Sequence, residues 1–170
     1  MTKRLAYASI AVALSLVASA AQVAATEIEP AEGSPEAAGF VFCMLAKPDI
    51  GKGLLYIFTP PFAQLVDDAL RRSDEIQAAK PDERPPLGDG IPYQSFPDGS
   101  PVCEVGAVSD VGALKHVEIL HRFPETPSAG WTDKLVLADW RGRLMIDDIL
   151  YGAQNYKYGL RKVAEDVLKQ

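Results

Sequence analysis

The chain has 170 residues, with 17 basic against 23 acidic side chains, 48% hydrophobic residues and two cysteines. Lys3 and Arg4 precede a predicted cleavage site, so the mature chain carries 15 basic and 23 acidic residues, a formal charge of −8. That balance argues against nucleic acid and an anionic lipid surface as partners, because the chain offers them no excess of basic groups to release counterions, and it allows a neutral or basic partner.

Lys3 and Arg4 open the chain, an apolar run follows from Leu5 to about Val17, and Ala18, Ser19, Ala20 or Val23, Ala24, Ala25 fit a small-x-small cleavage site. Residues 1–25 therefore read as a secretory signal peptide. A membrane anchor is the competing reading, since residues 5–25 hold no charge. The weakly apolar alanines and serines and Gln22 of the second half favour cleavage. The expected location is periplasmic or secreted, with no membrane association after cleavage. The remaining 145 residues suit one domain burying about two-thirds of its unfolded surface. Residues 26–33 are expected to be a disordered leader and 34–170 the domain.

Ser34, Pro35 and Glu36 form a helix start, and Ala37, Phe40, Val41, Met44 and Leu45 make an apolar stripe that ends before Pro48. This predicts a first helix over about 35–46. The run 54–58 fits a short helix or a buried strand, and we take it as a helix. Thr59, Pro60 and Pro61 repeat the start signal. Phe62, Leu65, Val66, Ala69, Leu70, Ser73 and Ile76 share one face of a helix to about Ala79, with Asp67–Arg71 and Asp68–Arg72 as i,i+4 pairs on the other.

From Lys80 through Pro101 there are six prolines and three glycines, a loop long enough to be functional or fastened down, with Tyr93 and Phe96 as its anchors. Cys103 follows it, and Cys43 lies on the first helix. In an oxidising compartment these two most simply form one disulfide; free thiols, or zinc shared with His116 and His121, are the alternatives. Those histidines are five apart on a predicted strand, 113–123, and so point to opposite faces. Val117, Ile119, His121 and Phe123 make its better core face. A strand from Trp131 returns to about Ala138, and residues 102–108 add a shorter strand. Leu160, Val163, Ala164, Val167 and Leu168 mark a last helix from about Tyr156.

Residues 134–151 hold two apolar runs around Gly142, a hairpin signal. A three-residue loop of Trp140, Arg141 and Gly142 places the glycine at a left-handed position and sets Asp139 against Arg143, Ala138 against Leu144, Val136 against Ile146 and Lys134 against Asp148. A two-residue loop needs positive φ at Arg141 and opposes Val136 to Asp147 and Leu135 to Asp148. The first register is preferred. It makes Asp148 a paired acid with a lowered pKa; an Asp148 turned away from Lys134 into an apolar pocket would have a raised one and suit acid–base chemistry.

Helices first, then a long loop, then an antiparallel sheet define an α+β domain. The run from Gly142 to Ile149, followed by Tyr151, Leu160 and Arg161, resembles the Gly-x-Trp-x-Ile-Asp-Asp-Ile ending of a bacterial secreted branch, of unknown function, in the nuclear transport factor 2-like superfamily. The run from Pro86 to Tyr93 with Cys103 resembles its middle segment, and Leu144 stands where that branch carries tryptophan. The resemblance implies a cone-shaped fold over about 35–168, with helices packed on a curved antiparallel sheet and, in some members, a pocket. It carries no catalytic set.

The function expected is a non-catalytic exported binding module without cofactor or metal, holding a small apolar ligand or a protein partner. Asp148, His121, Ile146 and Val136 are its candidate ligand-binding residues. A periplasmic inhibitor or immunity protein is one alternative, and a pocket enzyme using Asp148 as acid or base is the other.

Overall fold

The computed structural model describes residues 30–170 apart from 47, 89–91 and 97–98, with the backbone alone for 48–52. The signal-peptide reading of 1–25 and the leader up to 29 lie outside the described residues. Residues 31–34 form a turn closed by Ser34 N donating to Ala31 O at 3.0 Å. Ser34 Oγ then accepts from Ala37 N at 3.1 Å, capping α1 (Pro35–Leu45) as its sequence signal requires.

The buried side of α1 differs from the expected stripe. Phe42 and Gly39 are buried, whereas Phe40, Val41 and Met44 face outward. The helix is apolar nearly all round, so spacing alone does not choose a face; the bond from Cys43 to Cys103 does, by fastening α1 to the sheet. A 3-10 segment, Pro48–Ile57, supplies Leu54 to the core, and α2 (Pro60–Ala79) buries Phe62, Val66, Ala69 and Ser73. The exposed pairs of α2 are Asp68–Arg71 and Arg72–Glu75, both i,i+3, in place of the expected i,i+4 pairs.

Four strands follow: β1 (Val102–Val111), β2 (Leu114–Arg122), β3 (Trp131–Trp140) and β4 (Arg143–Leu150). They form one antiparallel sheet in the order β1-β2-β3-β4, and α3 (Leu160–Val167) ends the described elements. Val117, Ile119, Leu135, Leu137, Ile146 and Ile149 point from the three later strands onto Phe42, Phe58, Phe62 and Leu160. This face is closed: each of those ten side chains is at most 1% exposed. Burying such side chains contributes roughly 1.5–3 kcal/mol each.

The β3–β4 hairpin closes in the register that the opposed residues disfavour. Trp140 pairs with Arg143 around a two-residue turn in which Arg141 and Gly142 have φ of 57° and 82°. Positive φ at both positions is the turn whose twist matches the strands. Asp139 Oδ1 accepts from Gly142 N at 2.9 Å. The predicted mismatches of Val136 with Asp147 and of Leu135 with Asp148 do not arise, because the ladder shifts between Leu137↔Ile146 and Val136↔Asp148. Asp147 is the extra residue, a bulge. It lets Leu137 meet Ile146 and Leu135 meet Ile149 in the core, which outweighs about 1–2 kcal/mol for a left-handed Arg141. The bulged Asp147 accepts from Thr59 Oγ1 at 2.5 Å, and Arg161 Nη2 reaches its Oδ2 at 2.9 Å and its carbonyl at 2.6 Å. Thr59 therefore ties α2 to β4 with the hydroxyl that the sequence assigns to capping α2.

Candidate functional site

The four candidate residues do not meet at one place. Ile146 is fully buried in the core opposite Leu137, and Val136, 6% exposed, stands opposite Asp148 on the other side of the ladder. His121 lies at the far end of β2, and Asp148 lies where β4 meets α3. Two open grooves contain one candidate each: a groove of about 700 Å³ lined by Asp148, and one of about 430 Å³ lined by His121.

The larger groove exists because α3 starts hard against β4. Leu150 bridges Gly159, where a Cβ would come 2.3 Å from Ile149 O and 2.9 Å from Asp148 Oδ1, so only glycine allows the approach. Asp148 Oδ1 accepts from Arg161 N at 2.9 Å and Ile149 N at 2.7 Å, capping an orphan donor of α3. Its Oδ2 has no partner among the described residues. Lys134, the expected partner, sits 3.6 Å from Glu118 and 4.4 Å over the Tyr156 ring instead. Burial therefore dominates and pushes the Asp148 carboxyl above its ordinary value, against the lowering effect of the two backbone N–H groups and of Arg161. This overturns the expectation of a lowered pKa, and the cause is the two-residue turn together with the bulge, which set Asp148 opposite Val136 and Lys134 opposite Leu150. Leu150, Val163, Val167 and Pro86 supply apolar wall, and Lys157, Tyr158 and Glu165 lie along the groove.

His121, 2% exposed, stacks on Trp131 with ring centroids 4.5 Å apart. Its Nδ1 is 3.2 Å from Ser100 Oγ and its Nε2 3.4 Å from Asp133 Oδ2. Serine, histidine and aspartate in a row have the residue types of a nucleophilic relay. The Ser100 hydroxyl, however, donates to Val102 O at 2.9 Å, which leaves His121 Nδ1 to donate to Ser100 rather than take its proton.

Asp133 is the residue that sequence reasoning missed. It is fully buried on the core side of β3, accepting from Ser95 N at 2.9 Å, Trp131 Nε1 at 3.0 Å, Gly152 N at 2.9 Å and Ser95 Oγ. Burial alone would raise its pKa, but these bonds with His121 more than offset burial and hold the carboxyl below its usual value. It clamps the proline-rich loop: Ser95 Oγ also accepts from Ala153 N, Tyr151 Oη donates to Pro92 O at 2.6 Å, and Tyr93 is buried, its hydroxyl pushed up to about 12 by burial and Asp67. The available signal was an acid at a core-facing position of a strand, two residues from Trp131 on the same face.

Cys43 and Cys103 are bonded, with Cα atoms 5.5 Å apart, so neither thiolate is open to the zinc alternative. Among the described residues no group of three metal-ligating side chains is present, and no helix is long and apolar enough to cross a membrane. Comparison with protein-family models, with curated proteins and with solved structures gave no match.

Proposed function

We propose that this chain is a non-catalytic binding module working in the periplasm or outside the cell, on a nuclear transport factor 2-like fold, with the groove between β4 and α3 as its seat. The fold reading rests on the order of helices, long loop and antiparallel sheet, together with the sequence resemblance. Export is supported by the disulfide and by the signal-peptide pattern.

One observation carries the binding reading. Asp148 is held by two backbone N–H groups through one oxygen while its other oxygen is left without a partner among the described residues, in a groove where Leu150, Val163, Val167 and Pro86 supply apolar wall among charged side chains. A polar atom fixed in direction beside apolar wall is what orients a ligand in a site. The closed core and the separation of Ile146, Val136 and His121 from Asp148 argue against a ligand inside the sheet. The raised pKa of Asp148 favours a second reading, an acid–base enzyme. Binding is preferred because a proton-transfer site needs a second polarising group aimed at the same atom, and Arg161 is committed to Asp147.

The test is a titration of the mature protein with 1-hexanol, followed by amide NMR shifts. Shifts gathered on Leu150, Tyr158 and Val163 support the seat. Shifts gathered instead around Trp131 and Phe123, or spread over the surface, contradict it.

A further inference from the structure

With the β4–α3 groove as the binding seat, its charged groups divide into those already paired and those left over for a ligand. Arg161 is joined to Asp147 at 2.9 Å, and Lys162 is held by Asp166, which also receives Lys169 at 3.1 Å. Left over among the described groove residues are Asp148 Oδ2, Glu165 and Lys157: two carboxylates against one ammonium. With Lys162 and Lys169 sharing the one carboxylate of Asp166 the groove as a whole is balanced, and it is the fixed Asp148 Oδ2, without a partner among the described residues, that would repel an anionic head and attract a cationic one.

Two further features sharpen the class of ligand. Asp148 offers an acceptor oxygen whose partner oxygen is fixed by the backbone, so its direction is set before a ligand arrives. Tyr158, which is 42% exposed and whose ring stands edge-on to Tyr151 at 6.3 Å, lines the same groove and presents an aromatic surface of the kind that attracts cations. Leu150 and Val163 offer apolar surface for a stem.

We infer that the β4–α3 groove takes a primary alkylammonium group, its N–H donated to Asp148 Oδ2 beside Tyr158 and its stem laid along Leu150 and Val163. This assignment rests on the reading of the groove as the binding seat. A primary ammonium fits better than a quaternary one, because the free oxygen needs a hydrogen-bond donor. The same chemistry is offered by a small amine and by a lysine side chain of a basic partner.

The experiment compares hexylammonium, 1-hexanol and hexanoate on the mature protein by NMR titration, with N-acetyl-lysine methylamide as a further arm. Hexylammonium should bind about tenfold tighter than hexanol, the gain of one charge-assisted bond, and hexanoate should bind weakest. Asp148→Asn keeps an oxygen for the two backbone donors and should erase the preference for ammonium while hexanol still binds; Glu165→Gln should reduce it. A lysine amide that binds as well as hexylammonium supports the inference with a protein side chain as source, and one that binds more weakly supports it with a small amine. Hexanol bound in the groove with hexylammonium no tighter overturns the ammonium inference and leaves the binding seat standing. No shifts in the groove with any probe overturn both.

Discussion

Replacing Asp133 by Asn changes one atom of a fully buried carboxylate that accepts from four donors. An amide group in place of Oδ2 points its hydrogens at Ser95 N–H and Trp131 Nε1–H; in place of Oδ1 it faces Gly152 N–H and the Ser95 hydroxyl, and only the hydroxyl can turn. Either orientation orphans at least one buried N–H, at about 1–3 kcal/mol, and the remaining bonds lose their charge assistance. The expected loss is roughly 3–5 kcal/mol, in the range for breaking a buried charged network and a large part of a typical total of about 5–15 kcal/mol. The direction of the shift sets the sign with pH. A folded-state pKa held below the unfolded one contributes stability above the unfolded value of about 3.9 and loses it as pH falls through the folded value, so the deficit of the variant should shrink in acid. Urea unfolding read by tryptophan fluorescence at pH 7 and pH 3 measures both, and limited proteolysis in residues 80–101 reads the loop. A loss under about 1 kcal/mol at pH 7, with the loop as protected as before, would refute the clamp.

Asp148→Asn should behave in the opposite way. Its folded pKa is raised, so its stabilising contribution is full below the unfolded value and lost as pH rises through the folded one; the variant should match the wild type in acid and equal or exceed it at pH 7 in urea unfolding. Arg141→Asn relieves a left-handed arginine in a turn that favours Asn-Gly, and should raise stability by about 0.5–1 kcal/mol by thermal unfolding; a loss would contradict the positive φ at Arg141. Unfolded, unreduced protein should show no reactive thiol, and the Cys43→Ser, Cys103→Ser double variant should lose roughly 4 kcal/mol for a crosslink spanning 60 residues.

Much of the fold is legible because helix starts are written in local chemistry. Ser34-Pro35 and Thr59-Pro60-Pro61 mark the starts of α1 and α2, and the alternation in β2 picks out its buried face of Val117, Ile119 and His121. Facing and register are harder. Phe40 and Phe42 are equally apolar, and the choice between them is made by a crosslink to a strand 60 residues away. Matching residue against residue on an unbroken ladder predicts the wrong hairpin register, because a bulge at Asp147 displaces every pair beyond it. Turn and bulge together also explain the candidate site: they separate Asp148 from Lys134, and the bulge gives Asp147 to Thr59 and Arg161 while Asp148 lies under α3. Asp133 stays hidden in the sequence because its donors come from Ser95, Trp131 and Gly152, which are brought together only by the folded loop.

Asp148 is thus a half-buried acid held under α3 rather than a surface acid paired with Lys134, and the proposed function makes it the acid that meets a ligand. Titration of its carboxyl carbon by NMR, in the wild type and in Lys134→Met, tests this most directly. The expected result is a pKa above the ordinary value of about 3.9 that does not respond to Lys134→Met and falls when hexylammonium is bound. A pKa at or below that value which rises on removing Lys134 would restore the surface pair and contradict the groove.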